Sequence, residues 1–139
     1  DDLANRHRAI IARVHPDQFA NKSAMEQRVA LQWATFANEA FDTLKSPIAR
    51  AQYLLKLNAP DLAAEGARVN LPHEFLVQQM MWREALEEGD TAGVLAEVTQ
   101  AQTDNQVQLR QACDEHDWAK LQVVLAQAQF IENFIAQLK

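Results

Sequence analysis

The sequence predicts an all-α protein, and three observations indicate this fold class. Glycine and proline are scarce, at three and four residues in a chain of 139, so most of the chain can stay helical. Apolar residues make up 48% of the chain and recur at steps of three and four over long stretches, which is typical of amphipathic helices. The part after residue 71 shows no strand pattern. We therefore expect helices joined by short loops.

Charge and composition exclude several classes of function. The net charge of −6 argues against nonspecific binding to nucleic acid, which needs a basic surface. No apolar run approaches the length that spans a membrane. The single cysteine, Cys113, excludes an internal disulfide and fits a reducing compartment.

The first helix should cover residues 1–15 and end at a rigid corner. Its apolar stripe consists of Leu3, His7, Ile10, Ile11 and Val14. Pro16 disfavours the α conformation for His15, so the helix should end there. The corner then presents the imidazole of His15 beside the carboxylate of Asp17. An ionised carboxylate is a strong hydrogen-bond acceptor for an arginine of a partner protein.

Charged side chains follow the first helix along its length. Asp1 and Asp2 suit the positive N-terminal end of the helix. Arg6 and Arg13, seven residues apart, share one edge of the apolar stripe. They are either ordinary solvated arginines or a basic surface that steers docking onto an acidic partner.

A second helix should begin after Ser23 and run to about Lys45. Ser23-Ala24-Met25-Glu26 has the pattern of a capping box. The large apolar residues of this helix recur at steps of three and four, which predicts one buried stripe. The stripe consists of Met25, Val29, Trp33, Phe36, Ala40 and Leu44. The first helix should pack against it as an antiparallel hairpin, and Ser46-Pro47 should start a third, short helix.

Three further helices follow a segment that contains two helix breakers, Pro60 and Gly66. Their predicted limits are 72–88, 90–116 and 117–138. Gly89-Asp90 separates the first two, and Asp117 can cap the third. Short connections between long helices predict antiparallel neighbours in a three-helix bundle.

The 72–88 helix carries more apolar surface than one core stripe needs. Phe75, Trp82 and Leu86 align and should face the bundle, whereas the other apolar residues lie well off that stripe. These are Leu76, Val77, Met80 and Met81, with Glu84, Glu87 and Glu88 continuing the same side. An apolar cluster bordered by carboxylates suggests a surface that binds a partner, and methionines adapt to such a role.

The last helix shows a similar excess. Val123, Phe130 and Phe134 fall outside its predicted core arc, which consists of Leu121, Val124, Leu125, Ala128, Ile131, Ile135 and Leu138. The excess indicates a partner surface, a wider core, or packing on the other domain.

The first half of the chain resembles a J-domain. The resemblance rests on a helix with flanking arginines, then His15-Pro16-Asp17 and Phe19, then a long helix with Asn38-Glu39-Ala40-Phe41-x-x-Leu44. It implies stimulation of ATP hydrolysis by a DnaK-class chaperone, with no catalysis by this chain. The implied chaperone-binding residues are His15, Pro16, Asp17, Arg6 and Arg13. The first short helix of the J-domain family has no counterpart here, so we expect an incomplete J-domain.

Over nearly its whole length the chain resembles the HscB family of co-chaperones for iron–sulfur cluster biogenesis. Particular matches are Pro47-x-x-Arg50-Ala51-x-Tyr53-Leu54-Leu55, Phe75-Leu76, Arg83-Glu84 and Asp117-Trp118. The resemblance implies two partners: the scaffold protein IscU, and the DnaK-class chaperone HscA. The implied scaffold-binding residues are Leu76, Val77, Met80, Met81, Glu84, Glu88 and Phe130.

The resemblance also implies an L-shaped arrangement of two domains. We expect a J-domain over 1–58 (a helical hairpin plus a short helix), a linker over 59–71, and a C-terminal three-helix domain over 72–139. A bacterial cytoplasm is the implied location, and the missing N-terminal helix leaves a mitochondrial one open.

No enzyme site or cofactor signature is expected. Cys113 and His116 lie three apart on one helix, but no second pair accompanies them at a spacing that suits a metal. Two alternatives to the HscB function remain: a general J-domain co-chaperone with a different client, and a phosphorelay protein that uses His15.

Overall fold

The computed structural model contains seven α-helices within the described residues, 2–139. They are α1 (Asp2–Val14), α2 (Ala24–Lys45), α3 (Pro47–Asn58), α4 (Pro60–Ala63), α5 (His73–Glu87), α6 (Thr91–Asp114) and α7 (Trp118–Leu138). A 3₁₀ turn, Pro16–Phe19, joins α1 to the loop before α2. No strand occurs in this part of the chain, which confirms the all-α prediction. Asp1, predicted at the N-terminal end of the first helix, and the side chain of Pro16, predicted to bind a chaperone, lie outside the described residues.

Side-chain caps fix where four of the helices begin. In each case the oxygen of a Ser or Asp accepts a hydrogen bond from the backbone N–H three residues later, an amide that would otherwise lack a partner. The pairs are Ser23 with Glu26 (3.2 Å), Ser46 with Ala49 (3.2 Å), Asp90 with Gly93 (3.0 Å) and Asp117 with Lys120 (3.2 Å). The predicted helix starts at these caps are therefore observed.

The two reversals of the C-terminal helices share one backbone geometry. After α5, Gly89 takes a φ of 92°, and the N–H of Asp90 donates to the carbonyl of Ala85 at 3.0 Å. After α6, the N–H of Asp117 donates to Ala112 at 3.0 Å, but the left-handed residue is His116, with a φ of 55°. Glycine adopts this conformation without strain, whereas histidine does so only where its surroundings require it.

The chain separates into two compact units, Asp1–Arg50 and Ala51–Lys139. The division falls inside α3, upstream of the predicted 59–71 linker. Within the second unit, Gln122 of α7 donates through Nε2 to the carbonyl of Leu62 at 3.0 Å and to that of Arg68 at 3.3 Å. The stretch that was predicted as a linker is therefore held against α7.

In the first unit α1 and α2 form the predicted helical hairpin. Near its middle, Nε2 of His7 lies 2.7 Å from Oδ1 of Asn38, and the His7 ring stacks on Phe41 with centroids 4.2 Å apart. His7, which the sequence placed on the apolar stripe of the first helix, is half-buried.

The prediction of which α2 side chains are buried was wrong. Trp33 and Phe36 are 58% and 63% exposed, and Met25, Val29 and Leu44 are exposed as well. The buried positions of α2 are its alanines, Ala30, Ala34 and Ala37. These lie roughly 100° around the helix from the large apolar residues. Small side chains let α1 approach the α2 backbone closely, so packing distance outweighed side-chain size here.

In the second unit, α6 and α7 pack along their length, and α5 covers one end of the pair. Buried side chains of α6 and α7 fill the seam: Val94, Val98, Leu109, Ala112, Leu121, Val124, Leu125, Ala128, Ile131 and Phe134. Asn105 is the buried polar residue of this seam among the described residues. Its Nδ2 donates to the carbonyl of Val124 at 3.1 Å, which satisfies an otherwise costly buried amide.

Phe134, for which the sequence left a partner surface, a wider core and packing on the other domain open, is only 6% exposed and belongs to the core. Phe134 packs with Trp82, Val94, Val98 and Ile131. At this end of the bundle α7 must bury side chains against both α5 and α6, so its apolar arc is wider than one partner helix would require. The wider-core interpretation therefore holds for Phe134.

Candidate interaction sites

The turn after α1 has the local geometry that its sequence predicts. His15 has φ −56° and ψ 135°, the extended conformation that a following proline favours. Its carbonyl accepts the N–H of Gln18 at 2.9 Å, and its Nδ1 accepts the N–H of Asp17 at 3.2 Å. The imidazole therefore caps the 3₁₀ turn that begins at Pro16, and the cap holds the ring beside the residues that follow.

The carboxylate of Asp17 is the most accessible charged group of this turn. Its side chain is 91% exposed, and Oδ2 lies 3.6 Å from Nδ1 of His15. Nδ1 cannot accept the Asp17 N–H and also donate to the carboxylate. Because Nδ1 accepts the Asp17 N–H in this cap, the ring does not occupy the carboxylate, which stays open to solvent. The turn can thus offer a bidentate acceptor to an arginine of a partner protein.

Arg6 and Arg13, predicted to share one edge of the apolar stripe of the first helix, are both exposed on the surface of α1. Arg6 pairs with Asp2 at 3.1 Å, with both side chains more than three-quarters exposed. An exposed pair of this kind contributes little stability and is easily exchanged for another partner. The seven-residue spacing places Arg6 and Arg13 on the same side of the helix, two turns apart.

A second candidate site lies on the outward side of α5. Leu76, Val77, Met80 and Met81 are 43%, 39%, 68% and 57% exposed. We call these four side chains the α5 patch. Glu84 and Glu88, which follow at helical spacing, are exposed on the same side. The exposure of four large apolar side chains on fewer than two turns of helix is the property of an interaction surface.

The inward side of α5 explains why the patch faces outward. Trp82 is 3% exposed, and its Nε1 donates to Oε2 of Glu97 on α6 at 3.1 Å. Its ring lies 5.7 Å from that of Phe134. Two turns upstream, the ring of Phe75 meets that of Phe130 edge to face, with centroids 5.6 Å apart. Because these contacts fix the rotation of α5, the four patch residues cannot turn into the core.

Phe130 differs from the other predicted scaffold-binding residues. It is half-buried and lies between two rings, 5.6 Å from Phe75 and 5.6 Å from Phe134. A side chain in this position supports α5 from the core side, through its contact with Phe75. The sequence grouped Phe130 with the exposed residues, because the apolar spacing within α7 does not indicate that α5 packs against this part of the helix.

Cys113 and His116, the pair considered as metal ligands, do not belong to a metal site among the described residues. No group of three or more side chains that could hold a metal ion occurs there. The His116 ring stacks on Trp118, with centroids 5.5 Å apart, and has a structural contact instead. No helix in the described part of the chain has the length and apolar character needed to cross a membrane.

Comparison with known protein families supports the relationship that the motifs indicate. The family model described as the HSCB C-terminal oligomerisation domain matches residues 71–139. The co-chaperone protein HscB homolog of Bordetella petrii is 39% identical over 142 residues, which cover 98% of this chain and 83% of the relative. The homolog of Cupriavidus taiwanensis is 51% identical over 82 residues, covering 59% of this chain and 46% of the relative.

Solved structures agree with these sequence matches. The chaperone HscB from Vibrio cholerae superposes with a TM-score of 0.78 at 30% identity, covering 98% of this chain and 84% of that one. The human co-chaperone protein HscB superposes with a TM-score of 0.68 at 22% identity, covering 97% and 71%, a likeness of fold. The identity and coverage of the bacterial relatives, together with the His-Pro-Asp turn and the C-terminal helices, show that the chain belongs to the HscB family of co-chaperones.

Proposed function

We propose that this co-chaperone binds an IscU-like iron–sulfur scaffold protein through its C-terminal unit, delivers it to an HscA-like DnaK-class chaperone, and stimulates the ATPase of that chaperone through His15-Pro16-Asp17. One observation carries the proposal: the first unit presents the 91% exposed carboxylate of Asp17 on a capped turn, and the second unit presents the exposed apolar α5 patch. Since the relatives with substantial identity are bacterial, we place this function in a bacterial cytoplasm.

The chaperone-binding role is assigned to the turn because of its rigidity and its charge. A capped 3₁₀ turn holds Asp17 in one conformation before the partner arrives, which reduces the entropy cost of binding. Its carboxylate is 91% exposed and can accept a charge-assisted hydrogen bond from an arginine of the chaperone. Arg6 and Arg13 on α1 would add attraction to an acidic surface, which chiefly raises the rate of association.

The scaffold-binding role is assigned to the α5 patch because its chemistry suits a protein partner. Interfaces take most of their affinity from a few apolar anchors at the centre, surrounded by polar contacts. Leu76 and Met80 supply such anchors, and Glu84 and Glu88 supply a polar edge. Phe130 would act from beneath the patch by supporting Phe75.

The test is a steady-state ATPase assay of the HscA-like chaperone with this protein, with and without the IscU-like scaffold. We expect stimulation by the co-chaperone and a further, synergistic rise with scaffold. Asp17→Ala should abolish stimulation and leave scaffold binding intact, whereas Leu76→Ala should weaken scaffold binding and leave stimulation by the co-chaperone alone unchanged.

Two outcomes would change the proposal. Stimulation without any scaffold binding by the full chain would favour a general J-domain co-chaperone with a different client. Loss of folding in both variants, measured by thermal unfolding, would show that the two surfaces are structural and refute the two-site proposal. Phe130→Ala is unsuitable as the primary scaffold-binding variant because Phe130 packs between two other rings.

A further inference from the structure

The side chain of Gln27 on α2 forms hydrogen bonds to the loop that follows the His-Pro-Asp turn. Nε2 of Gln27 lies 3.1 Å from the carbonyl oxygen of Phe19, 3.2 Å from that of Ala20 and 3.2 Å from that of Lys22. Three acceptors converge on one terminal atom, so that atom must be the nitrogen of the amide. The two N–H bonds of Gln27 are thereby shared among three backbone carbonyls.

These bonds supply much of the order in a segment with little regular structure. Within residues 19–22, before the α2 cap at Ser23, the backbone bonds run from Ala20 N–H to Asp17 at 3.5 Å, and from Lys22 N–H to Phe19 at 3.0 Å. The first is at the limit of hydrogen-bond length. The side-chain amide of Gln27 therefore links the end of the 3₁₀ turn and the loop after it to the first turn of α2 by hydrogen bonds.

We propose that Gln27 is a positioning residue for chaperone activation, because it holds the turn that carries Asp17 in the conformation that a chaperone arginine engages. The inference rests on the function proposed above for His15-Pro16-Asp17. Gln27 itself need not touch the chaperone. Without the hydrogen bonds of Gln27, the loop also adopts other conformations. Only the molecules in the competent conformation bind the chaperone, so the apparent dissociation constant rises as that fraction falls.

The expected effect is on affinity more than on the maximal rate. Removing the donor with an isosteric side chain, in Gln27→Met, should raise the co-chaperone concentration for half-maximal ATPase stimulation about 3- to 10-fold. The maximal stimulated rate should change less than about 2-fold, since the competent conformation is still reached at saturation. Gln27→Glu should be at least as damaging, because a carboxylate would face three carbonyl oxygens.

Rescue by a different donor separates positioning from a general loss of structure. Gln27→Lys keeps a long arm and offers three N–H donors to the same carbonyls, so it should restore the half-maximal concentration to near the wild-type value. Gln32 is an exposed glutamine further along α2 and serves as the matched control. The same three substitutions at Gln32 measure any effect of helix propensity or charge alone. They should leave the half-maximal concentration within about 2-fold of the wild-type value.

A second measurement does not need the chaperone. Amide hydrogen exchange of the full chain should be faster at Ala20 and Lys22 in Gln27→Met than in the wild type, and unchanged in Gln32→Met. Equal exchange in both variants, or wild-type stimulation by Gln27→Met at every concentration, would overturn the inference. A wild-type protein that fails to stimulate the chaperone would instead refute the proposed function, and the exchange data would still decide whether Gln27 orders the loop.

Discussion

Truncation of Met80 should weaken scaffold binding without weakening the fold. Met80 is 68% exposed in the free protein, so its native contacts are few. Burying a whole methionine side chain contributes roughly 1.5–3 kcal/mol, and covering the two-thirds that is still exposed contributes about 1–2 kcal/mol. Met80→Ala should therefore raise the dissociation constant for the scaffold about 5- to 30-fold. The free energy of unfolding should change by less than about 0.5 kcal/mol.

Val107→Ala is the matched control for this prediction. Val107 is 62% exposed, lies on α6 of the same unit, and is nine residues, or roughly 14 Å along the helix, beyond Val98. It is apolar and accessible but outside the α5 patch, so its truncation should leave scaffold affinity unchanged.

The assay is calorimetric titration of each full-length variant with the IscU-like scaffold, paired with urea unfolding of the free variant. Equal loss of affinity in Met80→Ala and Val107→Ala would show that general surface hydrophobicity, and not the patch, drives binding. A fall of about 2 kcal/mol in the stability of Met80→Ala would show that the side chain is part of the core. Either result would refute the assignment of the α5 patch.

Four other substitutions test the packing that positions the two surfaces. Ala34→Leu should destabilise the α1–α2 hairpin by about 1–3 kcal/mol, since a larger side chain cannot fit the close helix contact. Trp33→Gln, at an exposed position, should lower the free energy of unfolding by less than about 1 kcal/mol. Urea unfolding that ranks the two variants in the reverse order would contradict the burial of the alanines. Trp82→Phe should cost about 1–2 kcal/mol by leaving the Glu97 carboxylate without its indole donor, and an unchanged denaturation midpoint would show that this bond contributes nothing. Phe130→Ala should lower stability by about 1.5–3 kcal/mol and scaffold affinity together, so a loss of affinity at unchanged stability would instead place Phe130 in direct contact with the scaffold.

Local signals in the sequence were enough to predict the six longer helices and roughly where they begin and end, but not the short α4 (Pro60–Ala63). Ser23, Ser46 and Asp117 each cap the helix that follows, as their residue types predicted. Asp90, predicted with Gly89 only to separate two helices, caps α6 as well. Pro16 likewise predicted the end of α1. These signals work because a cap or a proline acts on the backbone within three or four residues, so no distant part of the chain can alter its effect.

The faces of α5 were also correctly predicted from the sequence, whereas those of α2 were not. Trp82 is buried and Met80 exposed, as the helical period of α5 indicated. On α2 the same reasoning selected Trp33 and Phe36, because it weighted side-chain size. The structure buries the alanines there, since α1 packs against the side of α2 that admits the closest approach of two backbones.

No pattern in the sequence indicated the hydrogen bonds that the Gln27 side chain makes with the loop. A glutamine on an exposed helix face is ordinary, and its role depends on three carbonyl oxygens that the loop before α2 brings to one point. The identity and ends of the helices follow from residues that are neighbours along the chain. The buried side of α2, the place of Phe134 and the contacts of Gln27 depend on groups that only folding brings together, and no local pattern encodes which of them will meet.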